Sequence, residues 1–374
     1  GVLRPQGNVP NLRFPEFTSQ WERYGNDSLF SCVSEKNKSK SVTDILSASQ
    51  TDGMVMRNSL GIDIKFEEDS IKTYKIVRSG DYVIHLRSFQ GGFAFSERMG
   101  VCSPAYTILR PNTALKYGFL RPYFMSNKFI NSLKLVTYGI RDGKSISVEE
   151  WLKLYTYIPE HREQEKISLF LSLLDERIAT QNKIIEDLKK LKVAIRDKAI
   201  ALGIKKSVFK TLDSIADIYQ PQTIPTSLLS EDAEYFVYGA NGVIGKYTEY
   251  NHSEPQICIA CRGNTCGAIN FSIAKSWITG NAMVVNTDQY SVINKRYLYH
   301  YLSTINFNPL ISGSGQPQIV RQPLAKLKIP TPSIEQQVGI VKVIDSFELK
   351  IEIENKYLQS LLTQKVCLLS NMFI

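Results

Sequence analysis

Apolar residues recur at heptad spacing in two stretches of the chain, and the two stretches are copies of one plan. Ile167, Leu171, Leu174, Ile178, Ile185, Leu188 and Ile195 follow one another at spacings of four, three and seven, with Glu, Lys, Arg and Asp on the remaining faces. That pattern predicts the seam of a coiled-coil helix. After an offset of about 173 residues, Ile340, Ile344, Phe347, Ile351, Leu358, Leu361 and Leu368 repeat it. Laid over each other without a gap, the stretches share Pro159/Pro332, Gln164/Gln337, Asn182/Asn355, Lys183/Lys356 and Lys192/Lys365 among others. Roughly a dozen identities over about fifty positions exceed chance severalfold.

A helix of about 36–40 residues, at 1.5 Å per residue, gives a rod of roughly 55–60 Å, too long for one small domain to bury. Polar residues interrupt the seam at matching places, Gln181 with Glu354 and Lys192 with Lys365. Either they are core positions that fix register and orientation in an antiparallel pairing of the two helices, or they lie on a solvated shoulder.

A globular stretch precedes each helix. Residues 1–20 read as an extended, proline-punctuated lead-in that packs by Leu12, Phe14 and Phe17. Residues 74–77, 82–86 and 106–109 alternate as strands, residues 118–133 read as a helix, and Ile158-Pro159 closes the domain. Gly203 is a helix stop, after which a second part runs to Pro330 and Pro332 with glycine-turn-strand signals and a strand at 256–260. Phe209-Lys210 and Leu212 are expected to answer Trp21-Glu22 and Tyr24. The expected class is α+β, with a pseudo-two-fold internal repeat. Its parts are 1–157 (first globular domain), 158–203 (first helix), 204–330 (second globular domain) and 331–374 (second helix).

Composition narrows this further. The chain of 374 residues suits two domains plus an accessory element, and a formal charge of +9 with pI near 9.0 favours a polyanionic partner. Six scattered cysteines fit a reducing cytoplasm better than a disulfide framework. No apolar run reaches a membrane span of roughly 18–20 residues, no signal peptide opens the sequence, and Gly1 in place of Met reads as an expression scar or a trimmed end.

Catalytic motifs fall short. Residues 139–145 (Gly-Ile-Arg-Asp-Gly-Lys-Ser) miss a phosphate-binding loop because the first glycine is one residue too close. Cys258, Cys261, Cys266 and His252 hint at zinc, but positions i and i+3 of a strand point to opposite faces, so buried apolar thiols read better. Acidic-x-Lys triplets such as Glu348-Leu-Lys350 lie on the charged flanks of the second helix, where solvated ion pairs explain them. Four histidines form no cluster.

Binding chemistry remains. Lys36, Lys38 and Lys40 form a serine-spaced basic loop suited to phosphates. Arg57, Asn58, Arg87, Gln90, Tyr138, Arg141, Lys144 and Ser145 add side chains of the kinds that read base edges. In the second part the corresponding set is Tyr238, Asn241, Lys246, Tyr247, Arg262, Asn264, Thr265, Gln316, Gln318 and Arg321, nearly all beside glycines that let a loop approach a groove. Taken singly, each is also an ordinary exposed loop residue.

The phrases Val9-Pro-Asn-Leu-Arg-Phe-Pro-Glu-Phe17, Tyr138-Gly-Ile-Arg-Asp-Gly-Lys-Ser-Ile146, Ile158-Pro-Glu-His-Arg-Glu-Gln-Glu-Lys-Ile167, Tyr238-Gly-Ala-Asn-Gly-Val-Ile-Gly-Lys246 and Pro332-Ser-Ile-Glu-Gln-Gln337 span the chain. With the internal repeat they resemble the DNA-specificity subunits of type I restriction–modification systems. The second copy departs in having Gly315-Gln-Pro-Gln-Ile319 where the first has Gly143-Lys-Ser-Ile146. The resemblance implies two target-recognition domains, each reading half of a split site in double-stranded DNA, separated by two antiparallel helices whose length sets the spacer. It further implies a cytoplasmic, non-catalytic subunit that holds two copies of an adenine methyltransferase and, in the full complex, an endonuclease/translocase. S-adenosylmethionine, ATP and Mg would bind those partners and not this chain. Two readings stay open: a coiled-coil spacer presenting two protein-binding heads, and a nucleotide-binding enzyme using residues 139–145.

Overall fold

The computed structural model describes residues 8–49, 51–60, 68–139, 144–205, 207–313 and 315–374. Two compact units emerge, one made of residues 1–182 with 356–374, the other of 183–355. In the first unit, β1 (Glu22–Gly25) and the single turn α1 (Asn26–Leu29) lead into β2 (Phe30–Val33). β3 (Leu46–Ser49), β4 (Gly53–Met56), β5 (Lys75–Val77), β6 (Tyr82–Ile84), α2 (Ser88–Gly91), β7 (Ala94–Phe95), β8 (Gly100–Cys102) and β9 (Thr107–Pro111) follow. Then come α3 (Arg121–Phe124), α4 (Asn127–Ser132), β10 (Thr137–Tyr138), β11 (Ser145–Ile146), α5 (Val148–Leu152), β12 (Tyr155–Ile158) and α6 (His161–Ile204). The second unit contains β13 (Val208–Thr211), β14 (Asp217–Tyr219), β15 (Tyr235–Gly239), β16 (Gly242–Tyr247), β17 (Ile257–Ala260), β18 (Ile269–Phe271), β19 (Trp277–Ile278) and β20 (Ala282–Asn286). It closes with α7 (Lys295–Leu302), β21 (Ile311–Ser312), β22 (Gln318–Ile319), α8 (Arg321–Ala325), β23 (Lys328–Thr331) and α9 (Ile334–Asn371).

Each unit is built on a four-stranded antiparallel sheet, in the order β2-β9-β6-β7 and β14-β20-β17-β18. The topological order is the same in both. Tyr82, Val83 and Ile84 are all buried, as are the four residues of β17, so these central strands read as continuous apolar runs and not as alternation. What differs is the insertion between the first and second sheet strands. It supplies β3, β4 and β5 in one unit and the β15–β16 hairpin in the other, with β19 added parallel to β15.

A two-stranded clamp fastens each domain to its helix. β1 pairs with β12 (Glu22↔Ile158) and β13 with β23 (Val208↔Thr331). The N–H of Asn26 donates to the Leu154 carbonyl, and the N–H of Leu212 to Leu327, both at 2.9 Å. This register makes Val208 the mate of Glu22, so the expected match of Phe209 to Trp21 is two residues out; Trp21 is buried whereas Phe209 is half exposed. The single helix expected at 118–133 is two, because the Ser126 side chain accepts the Phe129 N–H and starts α4 afresh.

Both long helices form, and every seam position is buried or half-buried. In the first unit the start of α6 lies beside the end of α9: Leu171 and Leu368 join one core, and Lys365 bonds Asp175 at 2.6 Å. In the second unit the end of α6 lies beside the start of α9, with Lys192 bonding Glu348 at 3.3 Å. At the 173-residue offset Lys192 is the mate of Lys365, and Glu348 of Asp175. Of the polar interruptions, Lys192 and Lys365 therefore pair across the helices, Glu354 pairs with Lys350 of its own helix, and Gln181 is buried.

The end of α9 and the residues just after it complete the first core. Leu368, Leu369, Met372 and Phe373 pack with Trp21, Phe119 and Phe124, and the Phe373 ring lies 6.3 Å from Trp21 and 5.1 Å from Tyr123. The lead-in is held differently from expectation. Phe14 packs against Phe170 and Phe17 is half-buried, but Leu12 is exposed and contributes its N–H to the Asn371 carbonyl. Between them, Arg13 grips the fully buried Glu163 through two bonds of 2.8 and 2.6 Å.

Candidate nucleic-acid interface

The basic loop of the first domain is a constructed turn. Asn37 is buried, its amide donating to the Val42 carbonyl (2.7 Å) and its carbonyl accepting the Val42 N–H (3.3 Å), which leaves Lys36 and Lys38 exposed. Lys40 takes a left-handed conformation at φ 54°. An isolated bridge joins Lys36 to Lys75, whose ammonium donates to the Tyr106 carbonyl. The Tyr106 ring sits 6.1 Å from His85, two residues before Arg87. Burial pushes His85 down to about 4, so it is neutral at pH 7.

Arg87, at the start of α2, and Gln90, within it, stand exposed, and α2 closes back onto the domain because Gly92 (φ 75°) passes so near the Phe124 carbonyl that a Cβ would lie 1.8 Å from it. α2 packs against β11. Arg87 and Gln90 thus share one neighbourhood with Tyr138, Lys144 and Ser145 of the β10–β11 ladder, where Tyr138 is 61% exposed. Arg141 lies outside the described residues. Arg57 is already engaged: it donates to Ser47 Oγ (3.2 Å) and to the Tyr74 hydroxyl (3.3 Å), while Asn58 beside it is exposed.

In the second domain, the turn after β17 carries Arg262, Asn264 and Thr265, all exposed. Arg262 bridges Gln318, and the Gly263 N–H donates to the Pro317 carbonyl at 3.0 Å, so this turn abuts the β21–β22 hairpin that bears Gln316 and Gln318. The two domains use the same construction. The segment after the equivalent sheet strand, β6 or β17, meets the equivalent hairpin, β10–β11 or β21–β22.

Other second-domain candidates are dispersed. Asn241 occupies the two-residue turn of the β15–β16 hairpin, Lys246 lies 5.6 Å over Phe236, and Tyr247 packs edge-on to Trp277 at 5.3 Å. Tyr238 is a correction. It is 8% exposed, packed in a small apolar cluster with Cys258, Ile278 and Val284, and its hydroxyl accepts the Ile273 N–H, because the strand is covered on both faces here. Arg321 is held too, its Nε donating to the Ile218 carbonyl at 2.8 Å. Sequence reading missed Leu86 (67% exposed) and Leu135 (82% exposed), which flank Arg87 and Tyr138. Apolar side chains of this kind meet thymine methyl groups, and their signal was a leucine next to a basic residue just past a regular element.

Cys258 is buried within β17 and its thiol is pushed up to about 12, while Cys261 lies against the Gly280 and Asn281 carbonyls. Among the described residues no three His, Cys, Asp or Glu side chains gather as metal ligands, and no helix is long and apolar enough to cross a membrane. Of the near-miss loop, residues 140–143 lie outside the described residues.

Residues 204–363 match the family model of the type I restriction modification DNA specificity domain. A putative type I restriction enzyme specificity subunit from Haemophilus influenzae is 30% identical over 142 residues, 37% of this chain and 36% of that protein. The EcoprrI specificity subunit of Escherichia coli is 30% identical over 143 residues, 37% and 35% of the two chains. The matched region thus spans about a third of these relatives' length. The crystal structure of a type I restriction–modification S subunit from M. genitalium superposes with TM-score 0.61 over 98% of this chain and 99% of that one, at 16% identity. An HsdS subunit from Thermoanaerobacter tengcongensis does so with TM-score 0.51 over 94% and 96%, at 15% identity. At such identities the superpositions speak to the fold. The similarity read from the motifs is shared by all three kinds of comparison.

Proposed function

From the premise that residues 204–363 form a type I restriction modification DNA specificity domain, we propose that the chain is the DNA-specificity subunit of such a system. Both domains are recognition modules, and each reads one half of a split duplex site. The observation that carries this is the shared construction of the two faces. In the first domain, Arg87 and Gln90 abut the hairpin bearing Tyr138 and Lys144. In the second, Arg262, Asn264 and Thr265 abut the hairpin bearing Gln316 and Gln318. Arginine reads guanine and Asn or Gln reads adenine by paired hydrogen bonds, while Lys36, Lys38 and the other lysines hold phosphates.

The helices act as the spacer. Repeat-related ion pairs in the two units, Lys365 with Asp175 and Lys192 with Glu348, support an antiparallel pairing of the helix segments within each unit. One helical turn of DNA is roughly 34–36 Å, a scale that paired helices of this length can bridge. Two copies of an adenine methyltransferase would dock on the two copies of the repeat, with an endonuclease/translocase added for restriction. The chain itself is non-catalytic; S-adenosylmethionine, ATP and Mg belong to those partners.

Exchanging residues 21–157 for those of a relative and mapping methylated adenines in the host genome tests the reading. One half-site should change while the other half and the spacer stay. A change in both halves, or in neither, would sink it. Binding should also weaken log-linearly with salt.

A further inference from the structure

Two fixed points in each domain give a residue-by-residue match of the segments that follow β6 and β17. The Ser96 N–H donates to the Asp81 carbonyl and the Ser272 N–H to the Gln256 carbonyl, both at 2.9 Å, where β7 and β18 run back beside them. Asp81 and Gln256 are thereby mates, and the next residues, Tyr82 and Ile257, both face the third sheet strand, at Leu109 and Val285. An equal step from each reaches Gly92 and Gly267. Both take positive φ, 75° and 90°, and close against Phe124 and Phe307. Between these points no residue is gained or lost, so Arg87 and Arg262 are one structural position met twice.

The adjoining hairpins are in register as well. Tyr138 pairs with Ser145 and Ser312 with Gln318, each next to an isoleucine-bearing pair, Thr137 with Ile146 and Ile311 with Ile319. Gly139 and Gly313 leave the two ladders at φ 92° and 91°. Tyr138 therefore matches Ser312, and Ser145 matches Gln318. By the register of the preceding turn Gln90 matches Thr265. Of these matched positions only the arginine is the same residue in both faces.

On the reading of both domains as duplex readers, we propose that Arg87 and Arg262 are one guanine reader used twice, so that each half of the site contains a guanine where its arginine reaches, and the halves differ at bases met by the unlike pairs. Both side chains are exposed, and neither guanidinium has a hydrogen-bond partner among the described residues, in contrast to Arg57 and Arg321. Residues 85–92 and 260–267 contain no carboxylate to neutralise the charge or to accept from the amino group of cytosine. The backbone beneath each fork is fixed. The Arg87 carbonyl accepts the Gln90 and Gly91 N–H groups, and Arg262 bridges Gln318. A phosphate needs charge without a set direction, whereas O6 and N7 of guanine are two adjacent acceptors that a planar fork on a rigid base can meet together.

Mapping methylated adenines in host cells that carry the complete system tests this, with the wild-type chain, Arg87→Ala, Arg262→Ala and Arg87→Gln. The wild-type motif should be split, with a guanine in each half. Arg87→Ala should abolish a preference for guanine of about tenfold or more at one position of one half, and Arg262→Ala should do so in the other. The half left intact in each variant is the control for folding. Arg87→Gln should admit adenine at the position that Arg87→Ala relaxes. A split motif with no guanine in one half, or a guanine preference that survives the alanine variants, would overturn the proposal and leave the split-site reading standing. So would methylation lowered at every site with no position relaxed, the mark of a phosphate contact. A motif that is not split would overturn that reading, and this proposal with it.

Discussion

The junction between domain and helix is made twice in this molecule, and the two versions solve one problem with different residues. Both need a buried glutamine to satisfy backbone groups where a loop crosses the helix, and Gln164 and Gln337 do so identically. Beyond that they diverge. The second junction is tied from within by Arg296 and His300 on Asp345 and Glu348. The first lacks those ties and is reinforced from the chain ends instead, by Arg13 on Glu163 and by Phe373 in the core. Groups that must be satisfied for any fold are repeated; groups that only add strength are free to change.

That contrast can be broken at several points. The largest expected effect is from Phe373→Ala, which empties a ring site and should cost about 4 kcal/mol, felt in the first unit. Hydrogen exchange resolves the units, and equal loss of protection in residues 208–330 would refute the asymmetry. Arg13→Ala strands a fully buried carboxylate and should cost roughly 3 kcal/mol, again in the first unit. A melting curve indistinguishable from wild type would mean that Glu163 finds another partner.

Gln164→Ala and Gln337→Ala sharpen the comparison from the other side. Each leaves one N–H and two carbonyls without their partner, so each should cost about 2 kcal/mol or more, with similar values and in separate units. Markedly unequal costs would argue against a common junction.

Acid should weaken the first unit through His85, whose pKa in the folded chain is depressed by burial to about 4. The unfolded chain binds the proton near pH 6.5, so this contribution is complete above that pH and is lost as pH falls toward 4. About 2 kcal/mol is at stake, and His85→Gln should flatten the profile of the first unit between pH 7 and 4.5. A wild-type profile that is already flat would contradict the burial argument. Smallest of all, Lys192→Met and Lys365→Met remove half-exposed ion pairs and should each change stability by about 0.5 kcal/mol. A loss several times larger in a melting experiment would show that these pairs fix helix register more strongly than their exposure implies.

Periodicity determined the long helices and their seams, because a buried stripe at heptad spacing is written locally in the residues that form it, and matched residues at one offset gave the internal repeat. The candidate recognition residues were legible as types, and the turn after β17 and both hairpins bore glycines or polar tips that marked them. Which of them stand together was not legible. Tertiary structure turned Tyr238 inward, tied Arg57 and Arg321 to neighbours, and set Arg87 beside β11 and Arg262 beside Gln318, since those relations depend on strand order between segments far apart in the chain. The common sheet order of the two domains was hidden for the same reason. Their insertions differ, and a shared topology needs only buried apolar strands of the right length, not matching residues. The roles of Gln164, Gln337 and Arg13 also waited on the fold, because a hydrogen-bond partner is chosen by where backbone groups become buried and not by any spacing along the chain.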